Sequence, residues 1–220
     1  MAFKNRSDAG RRLAASLAGY RQSLPLVLAL PRGGVPVAAE VAAALGAPLD
    51  LVLVRKIGVP SQPELAMGAV ADGANPVTVR NEAIIRYAGV SEEEFERVRD
   101  SELAEIGRRR SHYLGDRAPA SVAGRTVIVI DDGIATGATT RTALRALRAQ
   151  GPKELVLAVP VAAKDTLEEL REEADAVVCL ETPEWFDAVG AFYSDFRQVT
   201  DAEVIDILAR TKGKPSDTVE

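Results

Sequence analysis

The chain has 220 residues, enough to bury one sizeable core, and it carries 27 basic against 32 acidic residues for a net charge of −5. That balance argues against binding nucleic acid through bulk charge, and the lack of a long apolar run argues against a signal peptide or a membrane span. His112 and Cys179 are single residues of their kinds, which argues against a histidine-rich metal site and a Ser-His-Asp triad, excludes an intrachain disulfide and favours a reducing cytoplasm.

The first quarter of the chain predicts a helix followed by one strand–helix–strand crossover. In chain order the elements are an amphipathic helix over 8–20 with Ser7 or Asp8 as its cap, a buried strand over 24–31, a helix over 35–46 with a left-handed glycine cap, and a strand over 49–58. The connections between them are short. Two strands joined in this way by a helix are typical of a parallel sheet.

The amino-acid composition changes twice in the middle of the chain. Residues 59–88 are rich in proline and glycine, so we expect a loop region with short strands at "AMGAV" and "PVTVR". A charged helix follows, and Ser91 with Glu94 forms its predicted capping box. We therefore expect a helical insertion over about 81–115 between the second and third core strands.

The second half returns to alternating strands and helices. The predicted elements are strands over 125–130, 154–161 and 176–180 and helices over 139–150, 165–173 and 199–210. Together with the first half they predict an α/β fold, an open, mostly parallel, doubly wound sheet of about five strands with flanking helices. We expect a single domain over 1–220, with a small C-terminal hood at about 181–200 and a flexible tail at 211–220.

Three polar segments follow the predicted strands. They are "PRGG" at 31–34, "RKIG" at 55–58 and "DDGIATGATT" at 131–140. Ligands of such sheets bind beyond the carboxyl ends of the strands, so we expect these segments to meet at one edge of the sheet.

The last segment combines two acids with a small-residue loop. A loop of Gly, Ala and Thr that opens a helix presents backbone N–H groups and a positive helix end, which suits a phosphate, although an ordinary tight turn has the same pattern. It lacks the Walker A and G-x-G-x-x-G patterns. Asp131 and Asp132 repel each other and need a partner, and they could accept hydrogen bonds from sugar hydroxyls, stabilise a nearby Mg²⁺ or stabilise positive charge on a sugar ring.

The stretch "VIVIDDGIATGATT" resembles the signature of type I phosphoribosyltransferases, which use phosphoribosyl pyrophosphate (PRPP). The resemblance covers about 24–60 and 122–180 and implies that Asp131 and Asp132 hold the ribose 2′- and 3′-hydroxyls. It implies a 5′-phosphate loop made of Ala135, Thr136, Gly137, Ala138 and Thr139. It also implies Mg²⁺ as cofactor, held indirectly by the two acids.

The other two segments resemble further parts of the same family. Arg32, Gly33 and Gly34 are similar to the pyrophosphate loop, and glycines there would also allow close approach of an anion. Arg55 and Lys56 are similar to the basic pair that starts the mobile catalytic loop, whose closure over 59–70 would exclude water. Taken singly, Arg32 could be a surface cation, and the basic pair could be ordinary strand-end charges.

The acceptor side is less defined. Aromatic residues concentrate at 182–196, where Trp185 and Phe186 could stack a flat base, while packing of a hood or a dimer contact would use the same residues. A distant similarity to the hood of 6-oxopurine enzymes gives Asp195 a role near the metal. Some purine enzymes of the family carry an acid where this chain has Ala135; Glu64 or Glu82 could replace it, or could be solvated loop acids.

These observations predict a Mg²⁺-dependent phosphoribosyltransferase that transfers the phosphoribosyl group of PRPP to a small nitrogenous acceptor, purine-like in one interpretation. The protein could form a homodimer. Two alternatives are a PRPP-binding regulator without turnover and an enzyme that uses water or a non-nucleobase acceptor. The regulator would favour a nucleic-acid surface, for which the sequence offers one small basic cluster at 108–112. We expect His112 to be solvated and Cys179 to belong to the core.

Overall fold

The computed structural model describes residues 3–73 and 76–211, and eight strands lie within that part of the chain. The strands are β1 Leu26–Ala29, β2 Leu49–Leu51, β3 Val54–Val59, β4 Gln62–Ala71, β5 Val77–Arg80, β6 Thr126–Ile130, β7 Glu154–Val161 and β8 Ala176–Glu181. Five of them form a parallel sheet in the order β2-β1-β6-β7-β8, and three form an antiparallel sheet in the order β3-β4-β5.

Helices cover both faces of the parallel sheet. The α-helices are α1 Arg6–Ser16, α2 Gly34–Leu45, α3 Glu82–Ala88, α4 Glu92–Leu114, α5 Ala138–Ala149, α6 Lys164–Leu170 and α7 Asp201–Thr211, and 3₁₀ turns occupy Ala18–Ser23 and Val189–Phe192. Within the described residues, no helix combines the length and the apolar character that crossing a bilayer requires. The expected tail beyond Thr211 lies outside the described residues.

Alternation along the central strands explains the two-sided packing. Val27 and Ala29 of β1 join the core formed with α1, α2 and α7, while Leu26 and Leu28 join the core formed with α5 and α6. Successive side chains of a strand point to opposite faces, and strands buried on both faces read as continuous apolar runs. The predicted doubly wound α/β fold is confirmed; that 1–220 forms a single domain stays a prediction.

The second predicted strand is wrong in its extent. The chain leaves the parallel sheet after Leu51, and β3 and β4 form a hairpin, here called the arm, where a mobile loop was expected over 59–70. The short strands expected at "AMGAV" and "PVTVR" are confirmed as parts of β4 and β5. Val59 pairs with Gln62, so Pro60 occupies the turn at a position that favours proline. Register shifts on both sides of Gly58 accommodate Pro63, which cannot donate to the ladder. The prolines mark a turn and a bulge, not a long loop.

The expected helical insertion consists of α3 and α4, which packs against the arm and α7. Phe95 and Ile106 of α4 are fully buried on this side. Ser91 accepts a hydrogen bond from the Glu94 backbone N–H, and the Glu94 side chain accepts one from Ser91, which confirms the capping box. The helix that carries the insertion is thus stabilised at its start and along one face.

The first helix begins two residues earlier than the sequence indicated. Its cap is Asn5, whose side-chain oxygen accepts a 2.9 Å hydrogen bond from the Asp8 N–H, so the expectation of Ser7 or Asp8 as the cap is wrong. Asparagine is as good a cap as serine or aspartate, and sequence position alone does not separate the three. The shift makes Arg6 the first residue of α1.

Residues 3–6, the N-terminal segment, are fastened to the hood at 181–200. The Phe3 N–H donates to the Phe192 carbonyl at 2.7 Å, and the Ser194 N–H donates to the Phe3 carbonyl at 2.8 Å. The Phe3 ring packs 5.3 Å from that of Tyr193, centroid to centroid. The N-terminal segment at 3–6 therefore packs together with residues almost two hundred positions later in the chain.

A buried ion triad joins the insertion to the sheet. Arg110 of α4 donates to Asp50 of β2 at 2.9 Å and to Asp72, just after β4, at 2.7 Å, and all three side chains are at least nine-tenths buried. Burial raises the pKa of Asp72, while hydrogen bonds from Leu53 and Arg110 oppose that rise. Arg110 Nε is buried without a partner among the described residues. The triad fixes the insertion at a considerable desolvation cost.

We expect Arg110→Met to lower the free energy of unfolding by about 3–5 kcal/mol, because it leaves two buried carboxylates without their cation. The control is Arg109→Met, since Arg109 makes a solvent-exposed pair with Glu105 and should change stability far less. Urea unfolding monitored by circular dichroism measures both. Equal effects of the two substitutions would contradict a structural role for the triad.

Candidate active site

Two loops meet at the carboxyl ends of β1 and β6. The loop after β1 holds Arg32, preceded by a cis peptide bond from Pro31, and the loop after β6 starts with Asp131. A Cβ on Gly34 would lie 2.6 Å from the Ile130 carbonyl oxygen and 3.0 Å from the Asp131 Cα. The absence of a side chain at residue 34 therefore lets the two backbones touch.

The acids are arranged as a compact pair. The Asp132 N–H donates to Asp131 Oδ1 at 2.8 Å, and a Cβ on Gly33 would overlap Asp132 Oδ2. Burial, followed by the negative charge of Asp132, raises the pKa of Asp131 well above its usual range. The Tyr193 hydroxyl donates to the Asp132 carbonyl oxygen at 2.5 Å, which brings the hood to the same point.

The cation beside this pair is Arg6, which the sequence analysis missed. Its Nε donates to Asp132 Oδ2 at 2.7 Å, and its Nη1 donates to the Arg197 carbonyl at 2.8 Å. The guanidinium carbon lies 3.9 Å from the ring centroid of Phe196. The acid pair itself was a signal that a cation is required, but nothing local singles out Arg6 among the many arginines of the chain.

The loop before α5 has the geometry of an anion site. Gly137 has a φ of 69°, a left-handed conformation, and a Cβ there would lie 2.6 Å from Thr166. The Thr166 hydroxyl donates to the Ala135 carbonyl at 2.7 Å, which fastens the loop to the start of α6. First-turn N–H groups of a helix have no intrahelical partner, and Ala138 and Thr139 lie exposed on that turn. The loop can therefore receive a phosphate.

Arg32 is held by α7. Its Nη1 lies 3.4 Å from Asp201, which also accepts a 2.7 Å hydrogen bond from the Tyr113 hydroxyl. His112, expected to be solvated, is half exposed but lies 3.6 Å from the same carboxylate. The hydrogen bond from Tyr113, followed by that from Arg32, lowers the pKa of Asp201.

Arg55 and Lys56 lie on the arm and not at the end of a parallel strand, so their expected local setting is wrong. Arg55 pairs with Glu102 of α4, and Lys56 Nζ lies 2.7 Å from Glu64 on β4. Among the described residues no hydrogen bond or ion pair joins this basic pair to Asp131 or Asp132. In this state each member of the pair is neutralised by an acid.

The two alternative acids also have partners. Glu64 is paired with Lys56, and its side chain is 90 % exposed. Glu82, at the start of α3, accepts a 2.8 Å hydrogen bond from Arg80 and lies on a separate cleft of about 510 Å³ together with Arg145. Neither contacts the acid pair within the described residues.

The hood separates the two predicted base-stacking residues. Trp185 is 88 % exposed, whereas Phe186 stacks on Phe192 with ring centroids 5.5 Å apart and belongs to the small core around Phe3. A Cβ on Gly133 would overlap a methyl of Val189, so the hood rests directly on the loop after β6. Packing of the hood explains Phe186, and Trp185 remains a free aromatic surface.

A cleft of about 720 Å³ adjoins the hood, and its lining includes Arg6, Asp195 and Arg197. Asp195 accepts a 2.9 Å hydrogen bond from Arg197, which lowers the pKa of its carboxyl group. The described residues contain no cluster of three or more potential metal ligands. The paired carboxylates still fit Mg²⁺, because this ion keeps several waters and often needs one or two carboxylates together with substrate phosphates.

Cys179 of β8 lies outside this site. It is partly buried and packs against the core on the α5 side, as expected from the sequence. Burial raises the pKa of its thiol to about 11.

The basic cluster at 108–112 also differs from expectation, since Arg108 and Arg109 pair with Glu105 and Arg110 is buried. It does not form a free cationic patch.

Comparison with known proteins gives relatives along nearly the whole chain. Two Mycobacterium tuberculosis proteins, Rv0571c of strain H37Rv and MT0597 of strain CDC 1551, bear the provisional name phosphoribosyl transferase and are each 45% identical over 208 residues. Those residues are 94% of this chain but 46% of each relative, so the chain spans about half the length of these curated relatives.

A solved structure and a family model cover the same region. The crystal structure of TT1426 from Thermus thermophilus is 43% identical, covers 96% of this chain and 99% of that one, and superposes with a TM-score of 0.84. The family model described as "Phosphoribosyl transferase domain" matches residues 2–197, which include both loops, the acid pair and most of the hood. This chain therefore belongs to the phosphoribosyltransferase family.

Proposed function

We propose that the protein transfers the 5-phosphoribosyl group of PRPP to a nitrogenous base and releases pyrophosphate in a Mg²⁺-dependent reaction. The observation that carries the proposal is the contact between the loop after β1 and the acid pair after β6, next to the free N-terminus of α5. These three elements would bind the pyrophosphate, the ribose and the 5′-phosphate of the donor.

The donor would bind in two parts. Ala135, Thr136, Gly137, Ala138 and Thr139 would receive the 5′-phosphate through backbone N–H groups, assisted by the positive end of α5. Asp131 and Asp132 would accept hydrogen bonds from the ribose hydroxyls. The same carboxylates would stabilise the positive charge that develops on the sugar ring as the bond from C1′ to pyrophosphate breaks.

The leaving group needs cations. Arg32, with the backbone of Gly33 and Gly34, would contact the pyrophosphate. Arg55 and Lys56 would add charge once they exchange Glu102 and Glu64 for the substrate, which requires the arm to move. Closure of the arm would also exclude water, which would otherwise hydrolyse the sugar cation.

Mg²⁺, bound to the pyrophosphate of the donor, would supply further positive charge at the leaving group. Asp131 and Asp132 would hold the ion through water, and Asp195 would be a third carboxylate near it. Asp195 is available in ionised form, since Arg197 lowers the pKa of this group.

For the acceptor, we propose a flat nitrogenous base, purine-like in size. The exposed face of Trp185 supports stacking, while Phe186 would shape the hood from behind through its contact with Phe192. Ala135 offers no general base. A cytoplasmic location and a role in nucleotide metabolism form part of the same proposal, since PRPP and free bases are small intracellular metabolites.

The first test measures pyrophosphate release from Mg-PRPP, with and without a panel of purine and pyrimidine bases. We expect release that depends on one class of base, with the nucleoside monophosphate as second product. Release without any base would support hydrolysis. Tight binding of Mg-PRPP without release under any condition would contradict the transferase proposal and favour the regulator.

Asp131→Asn and Asp132→Asn should each lower kcat/KM by about tenfold or more, because each removes a charge that stabilises the sugar cation. The pKa of Asp131 is raised, so activity that needs its ionised form should be lost as pH falls, at a pH above the usual aspartate value of about 4. Asp131→Asn should remove that acid limb. Unchanged kinetics in both variants would refute the assigned roles.

Gly33→Ala should lower kcat/KM by about tenfold to a hundredfold without unfolding the protein, because its Cβ would displace the Asp132 carboxylate. Gly107→Ala is the matched control. Gly107 lies on α4 with no atom within 4 Å of the added methyl, so activity should not change. Steady-state kinetics and thermal unfolding together decide the outcome, and equal activity of the two variants would contradict close packing of Gly33 on Asp132.

A further inference from the structure

We propose that Arg6 is a positioning residue of the acid pair Asp131 and Asp132, here called the sugar clamp. It fixes the Asp132 carboxylate so that Oδ1 faces the ribose hydroxyls, and it fastens the N-terminal segment and the hood to the clamp. The inference rests on the proposed function, because it assigns the ribose of PRPP to Asp132. It concerns a residue outside the signature motif and outside every segment that the resemblance identifies.

The guanidinium is held from three directions. Its Nε donates to Asp132 Oδ2, its Nη1 donates to the Arg197 carbonyl, and its central carbon lies over the Phe196 ring. The Arg6 and Asp132 side chains are 11% and 13% exposed, so solvent screens their ion pair only weakly. An arginine fixed at this many points has one orientation, and it imposes that orientation on the carboxylate.

One oxygen of the Asp132 carboxylate, Oδ1, makes no hydrogen bond within the described residues. Oδ2 accepts from Arg6, and a Cβ on Gly33 would lie 2.1 Å from Oδ2 and 2.9 Å from Oδ1. The backbone of Asp132 is restrained as well, because its carbonyl accepts from the Tyr193 hydroxyl. Arg6 therefore occupies one acceptor position of Oδ2, while both acceptor positions of Oδ1 stay open to a sugar hydroxyl.

The positive charge of Arg6 also offsets the repulsion between the adjacent carboxylates of Asp131 and Asp132. The two carboxylates follow one another in the chain, and the Arg6 guanidinium contacts one of them at 2.7 Å. Both acids must be ionised to stabilise a cationic sugar. Without Arg6 the pair would keep its repulsion and lose its compensating charge.

A purely structural tie between α1 and the hood would use the same contacts, so the experiment must separate the two roles. Arg12 supplies the matched control. It lies on the same helix, stacks on Phe3 with 5.3 Å between its guanidinium carbon and the ring, and pairs with Asp8, but it does not contact the acid pair. Arg6→Gln and Arg12→Gln thus remove the same charge and a cation–ring contact from one helix, and of the two residues Arg6 alone contacts the acid pair; Arg12 is the more exposed, at 37% against 11%.

The readout is calorimetric binding of Mg-PRPP, ribose 5-phosphate and Mg-pyrophosphate to the parent and both variants, with thermal unfolding alongside. In Arg6→Gln we expect the Kd of the two sugar ligands to rise by about tenfold, while that of pyrophosphate stays within about twofold. Arg12→Gln should leave all three Kd values unchanged. In the Asp132→Asn background, Arg6→Gln should have no further effect on sugar binding.

A second variant keeps the inference testable if Arg6→Gln folds poorly. Arg6→Lys retains the charge and loses the fixed planar geometry, so it should bind the sugar ligands with an affinity between those of the parent and Arg6→Gln. Equal weakening of sugar and pyrophosphate binding, additive effects with Asp132→Asn, or unchanged sugar binding would overturn the inference. A parent protein that binds no PRPP would instead defeat the proposed function, which separates the two failures.

Discussion

Two carboxylates follow one another at the end of β6, and their mutual repulsion is the constraint that the surrounding structure has to satisfy. Arg6 supplies the opposing charge, Gly33 leaves room for the Asp132 carboxylate, and Tyr193 holds the backbone behind it. These groups come from three distant parts of the chain. The strand end can carry both acids only because the first helix, the loop after β1 and the hood all meet there.

The parallel sheet follows from local patterns. Each core strand is a short apolar run between turn residues, and each intervening helix has its own start and stop signals, so periodicity was sufficient to predict them. The arm could not be predicted in the same way. Leu49–Leu51 and Val54–Val59 form one continuous apolar and basic stretch in sequence, and only pairing with Gln62–Ala71 assigns the second part to another sheet.

The candidate site also combines residues that are contiguous in sequence with residues that only the fold brings together. Asp131 and the loop ending at Gly137 are contiguous, so a motif of fourteen residues reveals their arrangement. Arg6 lies 126 positions from Asp132, and no spacing rule connects them. The hood is similar: composition indicated an aromatic cluster, but which rings pack inward and which stay exposed depends on Phe3, a residue from the opposite end of the chain.

The hydrogen bonds between Phe3 and the hood have a practical consequence for anyone who prepares this protein. A purification tag or fusion partner joined ahead of residue 3 would enter the molecule beside Phe192 and Ser194, a few residues from Arg6. Bulk at that junction would compete with the hood for its place, and kinetic differences between preparations could then arise from cloning choices. Removing such a tag before kinetic measurements protects the site from this artefact.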